Sequence, residues 1–585
     1  MRYFLLTLWC SLLSIQLQAA KAYPLPVTVT QSDGTQLTVT AYGDEALHYY
    51  MSSDGVLLWH EGHDFFIAQV NDDGTLSSTH QLAHEKEGRD EQEQFLVKQQ
   101  DKHNFFNYVA KHRENARRRE PIQENGTLFP HIGTPRVVVI LAQFADDKFI
   151  DEDPKSVFEQ YLNAEEIDNS VGNGSVGHNH GSVRRYFKDM SFGQFDPQFD
   201  IYGPVTLSQP TAVYGEGENS DRMDLMIPEA CQLAAEQGLK FSEYDSNNDG
   251  YVDLVYVIYA GYAESITGNP TTCIWPKSSY INTEKIDGKR VHRYGVNAEL
   301  NAFPGFWENA PFERISGIGL FCHEFSHCMG LPDFYATSSS AQAAENPGME
   351  MWSLLDNGEY ANGGYNPTEY TAWEREAFGW FKIDTLRESG NYELKNINEA
   401  GGKAYRILNE ENPSEYFILQ NIQKTGWNSL VYGHGMLVTH VDYDRYAFSL
   451  NFNSVNNTIG HPRMTIVPAD GDLASWYQVG DKTITSRDYY NSHAGDPFPG
   501  SEQIHEIPAF NTYTGTMKAR ISSIEETDGV VSFYFDNGSS GIHDLTIDSE
   551  GKDRIHTLNG ILLNTEKKHL PKGIYIINHR KVAVY

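Results

Sequence analysis

Cysteines and basic residues are scarce in this sequence, and it has no long hydrophobic run beyond its N-terminus. Its 585 residues include 45 Lys and Arg against 79 Asp and Glu, so the formal net charge is 45 − 79 = −34. Such an acidic chain repels phosphate backbones and anionic lipid surfaces, because affinity for either comes largely from clustered Lys and Arg. Binding to nucleic acid or to a membrane surface is therefore disfavoured.

The five cysteines are too few for a disulfide scaffold. The four that follow the N-terminal segment could be joined in three ways: Cys231, Cys273, Cys322 and Cys328. If Cys322 and Cys328 share a helix, as argued below, their Cα atoms are about 9 Å apart, which is beyond disulfide reach. A disulfide, if one forms, must link different segments.

The single long apolar run occupies residues 3–17, after Arg2 and before Ala20-Lys21-Ala22. A basic start, an apolar run and small residues before a cleavage point are typical of a secretory signal peptide, here residues 1–22. A membrane anchor is the alternative, but the run falls short of the ~20 residues that a span requires. We expect an exported mature protein without a transmembrane segment.

The next part of the chain alternates short polar and apolar runs. Asp-Gly pairs between these runs predict hairpins from residue 24 to about residue 84. Residues 85–125 are charged and poor in apolar residues, which predicts a linker, and they end near the tribasic run Arg117-Arg118-Arg119. This run is either a processing site or a plain solvated charge cluster.

A mixed α and β unit follows over residues 126–392. Continuous apolar runs at residues 137–142 and 254–260 predict buried strands, and a helix is expected at residues 181–190. From residue 393 to residue 537, alternating stretches with many Gly and Asn turns predict a β-rich domain. A Gly-Ser break then opens a small strand-rich tail, residues 538–585.

The most specific segment is HExxHxxGxxD, which contains His323, Glu324, His327, Gly330 and Asp333. Histidines four residues apart project from one face of a helix and can hold one metal ion, with Glu324 beside them. Gly330 can end the helix in the left-handed conformation, so that the chain turns back and presents Asp333 as a third ligand.

Two imidazoles and one carboxylate leave zinc with an open position for water, which is typical of a catalytic site. Zinc lowers the pKa of that water and polarises a peptide carbonyl. Glu324, which is not a ligand, would take the proton of the water and pass it to the leaving amine. The motif therefore predicts peptide hydrolysis.

These residues resemble the M6 peptidases, the immune-inhibitor-A-like secreted zinc metalloproteases of the metzincin type. The resemblance covers roughly residues 25–535 and includes six further stretches: 181–187, 191–195, 352–358, 433–435, 439–443 and 496–500. It implies an α+β protein with a metzincin-like catalytic domain, a following β-rich domain, an N-terminal prosegment and a small β tail. The metzincin turn beneath the zinc usually contains Met, whereas this sequence aligns Leu355 there, with Met349 and Met351 nearby.

The resemblance also implies that residues 23–125 keep the enzyme latent as a zymogen. This stretch has no cysteine, so a thiolate from it cannot occupy the zinc, and a carboxylate or steric cover must serve instead. We expect activation by cleavage near residues 117–119.

A second candidate metal site is the acidic loop at residues 245–253. Its positions one, three, five, seven and nine are Asp245, Asn247, Asp249, Tyr251 and Asp253. This spacing, with Gly250 at the sharp turn, is suited to calcium, although Tyr256 replaces the glutamate expected at position twelve. The alternative is an ordinary Asx-rich turn.

The C-terminal tail contains three characteristic stretches at residues 554–560, 570–578 and 581–585. These stretches resemble the sorting domain of type IX secretion in Gram-negative bacteria. This resemblance implies surface or extracellular localisation and export and sorting machinery as partners. A plain β cap at the end of the chain is the alternative.

For the whole protein we therefore expect a secreted zinc metalloendopeptidase that acts on proteins or peptides. One alternative is a surface-exposed adhesive or binding protein with a vestigial zinc site, although such a protein has no need for Glu324. The other is a zinc hydrolase that acts on a non-peptide substrate.

Overall fold

The computed structural model describes most of the chain. The described residues are 26–44, 47–61, 64–106, 108–109, 128–168, 170, 178–215, 221–267, 273–300, 314–480, 483–538, 555–557, 562–563, 569–577 and 580–584. The predicted signal peptide (residues 1–22) and the tribasic run at residues 117–119 lie outside these ranges.

Six strands form an antiparallel N-terminal sheet in which each strand pairs with the next. The strands are β1 (Val27–Thr30), β2 (Gln36–Asp44), β3 (Leu47–Ser52), β4 (Leu57–Glu61), β5 (Asp64–Val70) and β6 (Leu76–Leu82). The three Asp-Gly pairs lie at turns, and each glycine has a φ near +80°, the conformation that glycine adopts without strain. The predicted hairpins are thus confirmed.

The sequence predicted a linker at residues 85–125, but part of this segment forms helix α1 (Glu91–Gln99). Asp90 and Glu93 form a capping box that satisfies the free amides at the start of this helix. Leu96 and Val97 pack against the hydrophobic core of the N-terminal sheet. A surface helix such as α1 needs apolar residues on one face alone, so the segment as a whole has a polar composition that is also typical of a linker.

The central unit is built on a five-stranded sheet with the order β11-β13-β10-β7-β8. Its strands are β7 (Arg136–Gln143), β8 (Gln198–Thr206), β10 (Val255–Tyr262), β11 (Lys277–Tyr280) and β13 (Arg293–Leu300), and a small pair lies beside it, β9 (Tyr251–Val252) and β12 (Arg290–Val291). Four of the five strands are parallel, and β11 is the antiparallel edge strand. The apolar run of β7 is buried, because helices cover both faces of the sheet.

Further α-helices follow α1 along the chain. They are α2 (Pro154–Asn163), α3 (Val183–Met190), α4 (Thr211–Tyr214), α5 (Met223–Glu236), α6 (Glu264–Thr267), α7 (Ile318–Met329), α8 (Ser339–Ala343), α9 (Ala372–Ala377), α10 (Trp476–Gly480) and α11 (Ser486–Ser492). The predicted helix at residues 181–190 is α3, which begins after Ser182 because the hydroxyl of Ser182 caps the amide of Arg185. No helix among the described residues is long and apolar enough to span a membrane.

The C-terminal half contains a five-stranded sheet, a three-stranded sheet and a hairpin. Its strands are β14 (Asp384–Thr385), β15 (Gly390–Leu394), β16 (Ala404–Leu408), β17 (Glu415–Ile422), β18 (Gly435–Asp442), β19 (Met464–Ile466), β20 (Phe510–Thr512), β21 (Gly515–Met517), β22 (Arg520–Thr527) and β23 (Val530–Asp536). The predicted β-rich domain starts at residue 393, but β14 and β15 pair with β16 and β23, so this unit begins nearer to residue 384.

One hydrophobic core runs through both the central unit and the β-rich unit. Phe321 and Phe325 of α7 belong to it, together with Ile418 of β17 and Leu437 of β18. Since the two units share a core, residues of both units can contribute to the candidate metal centre described below. The tail forms a separate small sheet of β24 (Ile555–Thr557), β25 (Leu562–Leu563), β26 (Gly573–Ile577) and β27 (Arg580–Val584).

All four cysteines after the N-terminal segment are buried thiols. Cys322 and Cys328 lie on α7, and Cys231 lies on α5. The structure therefore contains no disulfide among these four residues, and packing stabilises the fold without one.

Candidate metal centre

Helix α7 carries the motif and is buried along its whole length. It ends at Gly330, whose φ of +119° is the left-handed conformation that the sequence predicted. The amide of Gly330 donates to the carbonyl of Ser326 at 3.0 Å. An added Cβ would also lie 2.7 Å from Cδ1 of Leu128, so that side chain would have to shift. Glycine at this position lets the chain turn back toward the helix.

The turn brings Asp333 to the two histidines of α7. The Nε2 atoms of His323 and His327 are 3.0 Å apart. Oδ1 of Asp333 lies 3.2 Å from Nε2 of His323 and 3.3 Å from Nε2 of His327. The three predicted ligand residues therefore converge on one point, and all of them are buried.

Backbone carbonyls fix the tautomer of both histidines. Nδ1 of His323 donates to the carbonyl of Leu354 at 2.9 Å, and Nδ1 of His327 donates to the carbonyl of Leu331 at 2.7 Å. Because Nδ1 carries the proton, Nε2 of each ring offers a lone pair to the centre. Leu354 precedes Leu355 in the turn that the sequence aligned beneath the zinc.

The geometry fits zinc. Tetrahedral zinc with ligands at 2.0–2.1 Å holds its ligand atoms about 3.3 Å apart, close to the three observed distances. Two lone pairs and a carboxylate oxygen face one another, and Oδ1 of Asp333 has no hydrogen-bond partner. Acceptors gathered in this way repel one another unless a cation lies between them. His323, His327 and Asp333 are thus suited to hold a zinc ion.

Electrostatics within the centre depend on burial and on Asp333. Burial lowers the pKa of His323, which favours the neutral, metal-binding form. Burial has the same effect at His327, but without a metal ion the charge of Asp333 outweighs it and raises the pKa of His327 to about 9. A bound cation would lower this pKa and favour the neutral ring, whose Nε2 carries the lone pair. Burial alone would raise the pKa of Asp333, yet the facing imidazoles hold it well below its ordinary value.

Two residues near the centre were not predicted from the sequence. Glu359 is buried, with Oε2 3.5 Å from Nδ1 of His323. Asn453, in the β-rich unit, binds Asp333 through two hydrogen bonds. Neither residue follows the motif at a fixed spacing, so the sequence carried no signal for them.

Comparison with known proteins shows that the candidate metal centre lies within a region that matches a known protein family. Residues 131–385 match the family described as immune inhibitor A peptidase M6, catalytic domain. The chain contains a peptidase M6 domain. This range includes α7, Asp333 and Glu359, whereas Asn453 lies outside it.

This chain is also similar to two named proteins. Immune inhibitor A of Bacillus thuringiensis subsp. alesti is 24% identical over 278 residues, which cover 42% of this chain and 39% of that protein. Pre-pro-metalloprotease PrtV of Vibrio cholerae serotype O1 (strain M66-2) is 24% identical over 227 residues, which cover 35% of this chain and 24% of that protein. The chain thus spans about two fifths or less of the length of these relatives.

The acidic loop has the sharp turn expected of a calcium loop, since Gly250 has a φ of +95°. Its oxygens accept hydrogen bonds within the loop: Asp245 binds the amides of Asp249 and Gly250, each at 3.0 Å. The ammonium group of Lys289 lies 2.5 Å from Asp245. A calcium ion must therefore displace Lys289 or bind beside it, and calcium binding at this loop stays a prediction.

Proposed function

We propose that this protein is a secreted, zinc-dependent metalloendopeptidase that hydrolyses peptide bonds of proteins. The observation that carries the proposal is the convergence of two imidazole nitrogens and one carboxylate oxygen inside a peptidase M6 domain. This ligand set leaves zinc with an open coordination position, as in catalytic sites. The named relatives support proteolysis, since one of them is called a metalloprotease.

His323, His327 and Asp333 would hold the zinc. When bound, zinc supplies a Lewis acid that polarises the scissile carbonyl and acidifies water. Glu324 accepts the proton of the attacking water and then donates it to the leaving amine. Glu324 is buried on α7, and its charge contributes to the raised pKa of His327, so its carboxylate lies near the ligands.

The turn after α7 supports a metzincin-like arrangement of this domain. Leu354 accepts the hydrogen bond of His323, and Leu355 beside it is buried. Leucine thus supplies the apolar floor at the position that the resemblance assigned to methionine.

The test compares wild type with Glu324→Ala and Glu324→Gln in the full chain after proteolytic activation. General base catalysis contributes about 10²- to 10⁴-fold, so we expect casein hydrolysis to fall by that factor while about one zinc per chain is retained. Glu236→Ala, at an exposed glutamate of α5, is the control and should retain activity. If the wild type binds zinc but cleaves no protein, an adhesive or binding protein with a vestigial zinc site becomes the better interpretation.

We also propose that residues 23–125 form a prosegment that keeps the enzyme latent. Support comes from its contact with the central unit: Nε2 of His48 on β3 lies 2.7 Å from Oε1 of Glu264 on α6. The imidazole of His48 packs on Trp275, with ring centroids 4.6 Å apart, and all three side chains are buried. Removing one partner of a buried polar contact leaves the other partner without water or a hydrogen-bond partner, which costs free energy.

The prosegment contact predicts that His48→Ala releases the N-terminal unit more readily after cleavage of the chain. We expect the cleaved unit to remain bound to the wild-type enzyme in size-exclusion chromatography and to separate from the variant. His103→Ala, at an exposed histidine of the same unit, should behave as wild type. Equal retention by wild type and His48→Ala would contradict a role of this contact in latency.

Export through the signal peptide and a type IX-like tail is part of the same proposal. The four-stranded sheet at residues 555–584 supports a compact terminal module. Deleting residues 538–585 should leave the protein inside the cell envelope. Normal surface delivery of the truncated protein would favour the plain β cap.

A further inference from the structure

Asp333 is held from outside the family-matched domain. The amide Nδ2 of Asn453 donates to Oδ2 of Asp333 at 2.5 Å. The backbone amide of Asp333 donates in turn to Oδ1 of Asn453 at 2.8 Å. One asparagine side chain therefore binds both the carboxylate and the backbone of the third ligand, across 120 residues of sequence.

These two hydrogen bonds determine which carboxylate oxygen faces the histidines. Oδ2 is occupied by the amide of Asn453, so Oδ1 is the oxygen directed at both Nε2 atoms. Partners of this kind fix the orientation of a metal ligand and, when removed, typically cost 10- to 100-fold in metal affinity.

The backbone of Asn453 is itself in an uncommon conformation. Its φ is +38°, in the left-handed region that Asn and Gly tolerate better than other residues. Its amide donates to the carbonyl of Ser449 at 2.9 Å, and its carbonyl accepts from Oγ1 of Thr337 at 2.7 Å. Residue 453 is thus constrained on both sides while its side chain reaches Asp333.

Neighbouring asparagines anchor the rest of the segment between β18 and β19. Asn456 donates to the carbonyls of Phe334 and Met464, each at 2.7 Å. Asn457 accepts from the amide of Ser338 at 2.7 Å and donates to Oγ1 of Thr337 at 2.7 Å. These contacts attach the segment to the chain that follows α7, but the side chains of Asn456 and Asn457 do not bind Asp333 in these bonds.

We propose that Asn453 is a positioning residue that orients Asp333 as a one-oxygen zinc ligand, so that the β-rich unit completes the metal centre of the peptidase M6 domain. This inference rests on the zinc site of the proposed function. It implies that the family-matched residues 131–385 contain the ligands but lack the group that aligns one of them.

The test measures zinc affinity in the full chain by competition with a chelator. Asn453→Gly keeps the left-handed backbone accessible and removes the amide, so we expect about a 10- to 100-fold loss of zinc affinity. Asn453→Asp retains the size of the side chain but places a carboxylate against Asp333, and it should weaken zinc at least as much. Asn457→Ala, which removes contacts of the same segment without touching Asp333, should stay within about threefold of wild type.

A spectroscopic measurement separates ligand orientation from general support of the fold. Cobalt(II) in the site should give a visible spectrum that changes in Asn453→Gly and stays unchanged in Asn457→Ala, because these bands depend on the number, identity and geometry of the metal ligands. Equal zinc affinity and an unchanged cobalt spectrum in Asn453→Gly would overturn the proposal. Equal losses in Asn453→Gly and Asn457→Ala would also overturn it, since the segment would then act as a whole.

The failure of this inference is distinguishable from the failure of the proposed function. A wild type that binds zinc without cleaving protein refutes the peptidase proposal and leaves the affinity comparison intact. A wild type that cleaves protein, with Asn453→Gly unchanged in zinc affinity, refutes the role of Asn453 alone. A wild type that binds no zinc refutes both.

Discussion

Replacing Gly319 by alanine tests how closely α7 packs on the segment beneath it. Gly319 lies in the first turn of α7, and an added Cβ would be 2.0 Å from the carbonyl oxygen of Glu359. The same Cβ would be 3.2 Å from Cα of Gly364. Both neighbours are backbone atoms, so neither can rotate away from the new methyl group.

Two opposing effects set the magnitude of this change. Alanine is favoured over glycine inside a helix by about 1 kcal/mol. Overpacking costs about 1–3 kcal/mol, and an overlap with backbone belongs at the upper end of this range. We expect a net loss of about 1–2 kcal/mol, which lowers Tm by about 2–8 °C for a unit of 150–250 residues. Since Glu359 lies 3.5 Å from His323, zinc affinity should fall as well.

The assay is differential scanning calorimetry of the zinc-loaded full chain. Because several domains unfold, the Tm compared is that of the transition that zinc removal shifts. The control is Gly515→Ala, where an added Cβ meets nothing within 4 Å and the backbone is not left-handed. An equal or higher Tm in Gly319→Ala would refute the close packing of α7, because the gain in helix propensity would then match or exceed the cost of the steric overlap.

Two further predictions concern buried and loop carboxylates. Burial raises the pKa of Glu299 from 4.5 to about 8, so the folded state binds the extra proton and stability should fall as pH rises from about 4.5 to about 8. Each unit of pKa shift corresponds to about 1.4 kcal/mol, so the free energy of unfolding should fall by at most about 5 kcal/mol over this range. Glu299→Gln should abolish this fall. If the free energies of unfolding of variant and wild type change in parallel with pH, the raised pKa of Glu299 is contradicted. At the acidic loop, a calcium chelator should lower the Tm of wild type but not of Asp245→Asn, because an ion that binds the folded state stabilises it. If calcium has no effect on wild-type Tm, the loop is an ordinary Asx-rich turn in which Lys289 pairs with Asp245.

Features that depend on short spacings were readable from the sequence. The four-residue interval between His323 and His327 places both rings on one face of a helix, and Gly330 ends that helix, as predicted. The buried strand β7 and the hairpins of the N-terminal sheet follow from equally local patterns. These features depend on backbone geometry over a few residues, so the sequence alone determines them.

Contacts between distant segments were decided by the tertiary structure. Helix α1 was expected to be a linker, because its apolar contacts with the N-terminal sheet are too few to give a strong pattern. Leu354, Glu359 and Asn453 reach the metal centre only because α7, the turn after it and the β-rich unit pack around one core. No spacing rule joins Asn453 to Asp333. The sequence determined the three candidate ligands through the helix and the turn that ends it, and packing across domains decided how the third candidate, Asp333, is held.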